Sequence, residues 1–386
     1  MTRSRRGHEQ RRGYDEAVHV IIVALIGSPA PETCSVIPHA AIRGYARECG
    51  FELAGVAPAA PLQDAAYYHQ WVAAGYAGEM SYLTDRRAAV RDDPRNLLPS
   101  AKSVICVGKL YNGPEPYSTH LGSEEAGWIS RYAWGEDYHG VLRDGLERLA
   151  ARLHEAAGHG FDWKICVDTA PLLERAYARQ AGLGWIGKNT CLINEPMGSW
   201  FFLGELLTSL ELEPGTPAPD RCGTCTRCID ACPTGAIVRA GVSDGPEWTI
   251  DSRLCIAYFT IELRGPVPEQ IRGQMGAHVF GCDICQDVCP WNSRAPVAGD
   301  PAFAPAHFAP DLIWLAQISE TEFREIFRSS PVARARYSGF LRNVAVAMGN
   351  QRSEQFREPL EKMANSPDAL VAEHARWALA QLESKE

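Results

Sequence analysis

No stretch of this 386-residue sequence is apolar without interruption for the roughly 18 residues that a membrane-crossing helix needs. The longest candidate, residues 17–27, is too short, contains His19 and follows the acidic pair Asp15 and Glu16. Those carboxylates also separate the apolar stretch from Arg5-Arg6, where a twin-arginine export signal would set positive charge directly against it. A basic excess is lacking too. With 47 Asp and Glu against 38 Lys and Arg the net charge is −9, which excludes a surface coated for non-specific nucleic-acid binding but leaves room for a local basic groove. Arginines do concentrate at Arg86, Arg87, Arg91 and Arg95, and again at Arg328, Arg334, Arg336 and Arg342. No Gly-x-Gly-x-x-Gly follows a strand and no Walker run occurs, so the sequence carries no signature of a dinucleotide or nucleoside-triphosphate site.

Cysteine, by contrast, is abundant, at 13 residues, and eight of these fall between Cys222 and Cys289. The run Cys222-x2-Cys225-x2-Cys228-x3-Cys232-Pro233 has the ligand spacing of a bacterial two-cluster ferredoxin, in which three thiolates hold one cubane and the fourth reaches the other. A second run, Cys282-x2-Cys285-x3-Cys289-Pro290, is the same pattern with Val279 in place of its first cysteine. Cys255 is the one cysteine left in the region to supply the missing ligand. One cluster is therefore assigned to Cys222, Cys225, Cys228 and Cys289, and the other to Cys232, Cys255, Cys282 and Cys285. Zinc sites close on four ligands in two separated pairs, a form that a three-cysteine run ending in Cys-Pro does not have. Disulfides would need an oxidising compartment, whereas thirteen cysteines with oxygen-sensitive clusters suit a reducing cytoplasm. Cys34, Cys49, Cys106, Cys166 and Cys191 lack metal spacing and read as ordinary thiols.

The length suggests two or three domains. Residues 1–35 read as a disordered extension. Amphipathic helices over 37–49 and 139–157 alternate with strands at 51–57, 103–107 and 161–168, and a further helix starts near Pro171, which predicts an α/β or α+β domain over 36–215. The proline-rich segment 213–220 then leads into a ferredoxin-like cluster module over 216–298. Residues 299–386 are helical, and the similar small-residue helices around 340–349 and 374–382 suggest HEAT-like stacking or a plain helical bundle. The overall class is α+β. Two cubanes deliver electrons singly, so the large domain before them should house the acceptor; spacing leaves flavin, haem and a corrinoid open.

Several segments narrow that choice by resemblance. Asp92-Asp-Pro-Arg-Asn-Leu-Leu-Pro-Ser-Ala-Lys-Ser-Val-Ile105, Arg131-Tyr-Ala-Trp-Gly-Glu-Asp-Tyr-His139, Val167-Asp-Thr-Ala-Pro-Leu-Leu-Glu-Arg175 and Gly184-Trp-Ile-Gly-Lys-Asn-Thr190 closely resemble the epoxyqueuosine reductases. So do Phe202-Leu-Gly-Glu205, Tyr258-Phe-Thr-Ile-Glu262 and both cysteine runs, and together they cover residues 37–298 almost continuously. The resemblance implies a cobalamin-dependent enzyme with two [4Fe-4S] clusters, which converts epoxyqueuosine to queuosine in the anticodon loop of tRNAs with a GUN anticodon. It implies Asp168 as the acid beside the departing epoxide oxygen, with a carboxyl raised toward working pH by partial burial; the alternative for Asp168 is a cap on the helix that follows. Tyr138 and His139 would position substrate or carry protons, or be surface residues at a helix start.

By the same matching, Arg91, Leu192, Leu203, Leu207, Ala257, Cys282 and Asp283, together with Asp168, would contact the corrinoid, with Lys188 and Asn189 as polar candidates nearby. Arg264 stands where the family commonly has lysine and would meet tRNA phosphate. The stretch between Cys232 and Cys255 is longer than the family pattern, with a surface loop expected around 240–246. A monomer is expected, fed by a low-potential donor such as ferredoxin or flavodoxin. Two competing readings stand beside this one: a corrinoid reductive dehalogenase, and a non-catalytic iron–sulfur electron carrier.

Overall fold

The computed structural model describes residues 37–241 and 245–384. The expected extension, Cys34 and the middle of the 240–246 loop lie outside the described residues. At the centre is a four-stranded sheet in the order Leu53–Pro58, Ser103–Leu110, Phe201–Thr208, Trp163–Cys166, each strand antiparallel to its neighbours. Helix and strand alternate along the sequence, but the connections return each strand antiparallel, so the domain is α+β in its pairing. Val104, Ile105, Cys106 and Val107 are all fully buried, because both faces of the sheet are covered. That explains their unbroken apolar run.

Helices His39–Glu48 and Tyr138–Ala157 cover one face, where Ile42, Leu142, Leu146 and Leu149 pack with Val56, Ile105, Val107 and Leu206. Burying each such side chain contributes about 1.5–3 kcal/mol. The longer helix starts at Asp137, whose carboxylate accepts the His139 N–H, and ends at Gly158 in the left-handed conformation. Helix Glu174–Gln180 covers the opposite face through Tyr177 and Ala178.

The ferredoxin-like and helical segments are not separate bodies hung on this sheet. Strand His278–Phe280 of the cluster module pairs in parallel with Trp128–Ile129. One apolar cluster joins Trp128, Ile129 and Trp134 to Val279 and Phe280 and to Leu312, Phe340, Val344 and Ala378 of the tail. In the tail, helices Arg336–Gln351 and Ala369–Glu383 pack so closely that a Cβ on Gly349 would fall 2.8 Å from the Ala378 Cα. The shorter helix Arg357–Ala364 packs on the second of these.

The tail also secures a single π-helical turn, Tyr258–Glu262. A π-turn leaves carbonyls that an α-helix would satisfy. The fully buried Arg342 donates to the Phe259, Leu263 and Gly265 carbonyls, and Asn343 to those of Thr260 and Val279. Burial pushes the Arg342 guanidinium down to about 10, with Arg264 adding like-charge repulsion.

Candidate active site and cluster region

Asp168 lies on a turn, not at a helix cap: its strand ends at Cys166, the next helix begins at Glu174, and Asp168 itself has φ +49°. Its side chain is 42% exposed, so a substrate can reach it. The Oδ2 atom is 3.4 Å from His139 Nε2 and 3.9 Å from an Arg334 nitrogen. On the other side of the imidazole, His139 Nδ1 is 2.6 Å from Asp137 Oδ1. Burial works against a charged His139, but the hydrogen bond to Asp137 and the carboxylate of Asp168 outweigh it and push the imidazole up to about 9.

Asp168 moves in the opposite direction from the sequence expectation. Burial would raise its carboxyl, yet the closely paired His139, with the Arg334 charge, holds it below the ordinary carboxylate value. The expected neutral acid is thus an ionised carboxylate, with the proton on its histidine partner. Tyr138 stacks on His139 with ring centroids 4.3 Å apart and lies nearly parallel to Phe202, so it forms an aromatic shelf under the imidazole.

Arg334 comes from the tail, and nothing in the sequence distinguished it from its neighbouring arginines. Its Nε is 2.8 Å from Glu262 Oε1, at the end of the π-turn, and its guanidinium sits 5.4 Å above the Tyr82 ring. Arg264 is exposed, but one of its nitrogens donates to the Arg334 carbonyl at 2.9 Å and so steadies that turn. Burial, then the negative charge of Glu262, pushes the Tyr82 phenol up to about 12. Tyr82 carried no sequence signal, whereas Glu262 lay unremarked at the end of a quoted motif.

The residues matched to a corrinoid site divide. Leu203, Ala257 and Cys282 keep partly exposed surface, and Leu192 is almost buried on strand Leu192–Ile193. Leu207 has 0% exposure inside the sheet core, so it has nothing to present to a ligand as the chain stands. Arg91 is buried too; it donates to the Tyr82 and Arg87 carbonyls and lies over the Tyr68 ring, which makes it a brace for the Tyr82 turn. Asp283 accepts from Trp128 Nε1, Ser130 Oγ and the Arg131 N–H, tying the second cysteine run to the N-terminal domain. Leu203, Ala257 and Cys282 are thus the members of the set with side-chain surface to offer an apolar ligand, and their chemistry, two apolar side chains and a thiol, suits van der Waals contact with a corrinoid ring.

Cys222, Cys225, Cys228 and Cys289 line one cavity of about 330 Å³ together with Lys188, Asn189 and Trp291. Burial, then the neighbouring Cys222 and Cys225, pushes the Cys228 thiol up to about 11. Cys282 is raised by burial, then by Cys255, with a smaller contribution from Cys232; Cys285 feels Cys191 first, then burial, Cys282 and Cys255. Four of the thiols thus share one cavity, while Cys232, Cys255 and Cys285 lie within electrostatic reach of Cys282 or of one another. Such crowding opposes ionisation, and bound iron removes the opposition, so the donor chemistry fits a thiolate-ligated cluster. Cys191, expected to be an ordinary thiol, lies against Cys285.

Lys188 and Asn189 are tied to these loops by hydrogen bonds. Lys188 Nζ donates to the Gly223 and Cys225 carbonyls at 2.7 and 3.1 Å, and Asn189 Nδ2 to the Cys285 carbonyl at 3.3 Å. Gly281, beside Cys282, has φ +70°, and a Cβ there would meet the Ser130 side chain at 2.5 Å.

Comparison with known proteins decides the family. The model of epoxyqueuosine reductase QueG, DUF1730, matches residues 91–169, and that of the 4Fe-4S double cluster binding domain matches 221–292. An epoxyqueuosine reductase of Xanthomonas campestris is 42% identical over 93% of this chain and 99% of its own length. This chain belongs to the epoxyqueuosine reductase family. The epoxyqueuosine reductase of Escherichia coli is 36% identical over 88% of either chain. Among solved structures, an epoxyqueuosine reductase with an epoxyqueuosine-modified tRNA-Tyr stem loop superposes with a TM-score of 0.80 at 29% identity, covering 89% of each chain. The Bacillus subtilis epoxyqueuosine reductase, solved with a catalytic aspartate loop swung out of its active site, gives 0.78 at 28% identity, over 89% and 90% of the two chains. Membership of the epoxyqueuosine reductases favours that activity over the dehalogenase and electron-carrier readings. This epoxyqueuosine reductase family member carries an iron–sulfur double-cluster domain. No helix among the described residues is long and apolar enough to cross a membrane.

Proposed function

We propose that the chain reduces the epoxide of epoxyqueuosine, at the wobble position of tRNAs with a GUN anticodon, to the alkene of queuosine. Cobalamin would be the reacting cofactor. The solved relative bound to an epoxyqueuosine-modified stem loop supports the substrate. The observation that carries the reading is the His139–Asp168 pair, a charged imidazole against an accessible carboxylate in one compact unit with the double-cluster domain.

Going from epoxide to alkene takes up two electrons and two protons and releases water. The proton supply is the chain's own contribution. At neutral pH His139 Nε2 holds a proton, and Asp168 Oδ2, 3.4 Å away, can accept it and present it to the departing oxygen. As a strong acid in this setting, Asp168 releases a proton readily. The Arg334 guanidinium favours negative charge developing on that oxygen. Tyr138 keeps the imidazole plane fixed. Leu203, Ala257 and Cys282 would seat the corrinoid, with Leu192 and Asp283 behind them; when bound it supplies the low-valent cobalt that reduces the epoxide carbon.

The first cluster is assigned to Cys222, Cys225, Cys228 and Cys289, and the second to Cys232, Cys255, Cys282 and Cys285. Exposed Arg264 would meet anticodon-stem phosphate. We take the protein to be a cytoplasmic monomer supplied by ferredoxin or flavodoxin. The test is anaerobic protein given cobalamin, a low-potential donor and an epoxyqueuosine stem loop. Conversion to queuosine is expected. Protein that takes up iron and cobalt yet leaves the RNA unchanged, or that dehalogenates organohalides instead, overturns the reading.

A further inference from the structure

Two carboxyls behind the catalytic turn have no part in the chemistry above, although each closes or nearly closes one of the quoted motifs. Glu205 stands mid-way along the strand Phe201–Thr208, on the sheet face it shares with Leu203 and Leu207. It is 0% exposed, and neither carboxyl oxygen finds a hydrogen-bond partner in good geometry among the described residues. A leucine would fill this layer without the desolvation that an acid incurs, so packing alone does not account for a glutamate.

Glu174 is the glutamate's neighbour and the first residue of its helix. Burial, then the Glu174 charge, raises Glu205 well above the ordinary carboxylate value, and burial followed by the Asp168 charge pushes Glu174 up to about 7. Two adjacent acids, one of them fully buried, do not both ionise readily, so Glu205 keeps its proton. Glu174 Oε1 accepts the Asp168 backbone N–H at 2.6 Å. That bond closes the turn at Asp168, whose φ of +49° is a conformation that a non-glycine residue keeps only when its surroundings fix it. The Asp168 side chain leaves in another direction, toward His139 and Arg334.

We propose that Glu174 is a positioning residue that latches the Asp168 turn in its reacting conformation. The proposal rests on the epoxide-reducing reading only for its kinetic readout. In reconstituted holoenzyme, Glu174→Ala is expected to lower kcat roughly ten- to a hundredfold while KM for the stem loop and iron content stay unchanged. Glu174→Gln keeps an oxygen for the Asp168 N–H and should recover to within a few fold of wild type. Hydrogen exchange resolved to single residues should find the Asp168 amide protected in wild type and in the Gln variant, and labile in the Ala variant.

Wild-type turnover by Glu174→Ala overturns the latch, and so does a Gln variant as slow as the Ala variant. If Glu174→Ala fails to fold, wild-type exchange decides: an unprotected Asp168 amide in intact protein also overturns it. Wild-type protein that does not convert the stem loop sinks the functional reading instead, and leaves the exchange comparison to judge the latch.

Discussion

The proton that the reaction needs sits on a histidine whose basicity depends on two carboxylates, and this can be tested by removing one charge. In Asp137→Asn the side-chain oxygen still caps helix Tyr138–Ala157 by accepting the His139 N–H, so the helix is expected to form. What is lost is the negative charge 2.6 Å from His139 Nδ1. A charge-assisted hydrogen bond is roughly twice as strong as a neutral one, and the difference of about 1–1.5 kcal/mol corresponds to about one pH unit.

For wild type, kcat/KM should be level through neutral pH and fall as pH rises through about 9, where His139 gives up its proton. In Asp137→Asn the same limb should move down by about one unit. The assay is queuosine formation between about pH 6.5 and 10, with chemical reductant in excess so that electron supply does not limit. Superimposable profiles for the two proteins, or a wild-type profile flat to the alkaline end, would refute the reasoning. The linkage has a fixed sign. A histidine raised from 6.5 to about 9 contributes stability that is fully present below 6.5 and is lost as pH rises through the folded value.

Arg342→Met should destabilise the fold by about 3–5 kcal/mol, because buried carbonyls of the π-turn lose their donor; a denaturation shift below about 1 kcal/mol would contradict that role. Arg334→Gln should leave iron content intact and lower single-turnover rate by about a hundredfold, whereas a change under about threefold would remove Arg334 from charge stabilisation. Cys255→Ala should halve the iron content of the anaerobically reconstituted protein, and an unchanged iron content would show that Cys255 is not a ligand.

The cluster module was legible because its information is local. Ligand spacing within each cysteine run and the proline after it belong to a few consecutive residues, and four of those thiols line one cavity. The long helix from Tyr138 and the strand from Ser103 were legible for the same reason, since periodicity and unbroken burial leave their mark on neighbouring residues. The active-site electrostatics were not. The sign of the Asp168 shift is set by His139 and Arg334, which reach it from the sheet-covering helix and from the tail. Arg334, Glu262 and Tyr82 meet only after folding, and an arginine destined for a site looks like any other in a charged stretch. The burial of Leu207 was equally hidden, since it depends on the elements packed over both faces of its interior strand.

Lys188 and Asn189 are consecutive residues, yet one grips the loop around Cys225 and the other the carbonyl of Cys285. Any shift of that short backbone segment therefore carries both cysteine runs along together. Electron tunnelling falls off exponentially with separation, so a protein that relays electrons between two sites must suppress fluctuations in the gap more than motion of the pair as a whole. A shared mount of two adjacent side chains does this without stiffening the rest of the molecule.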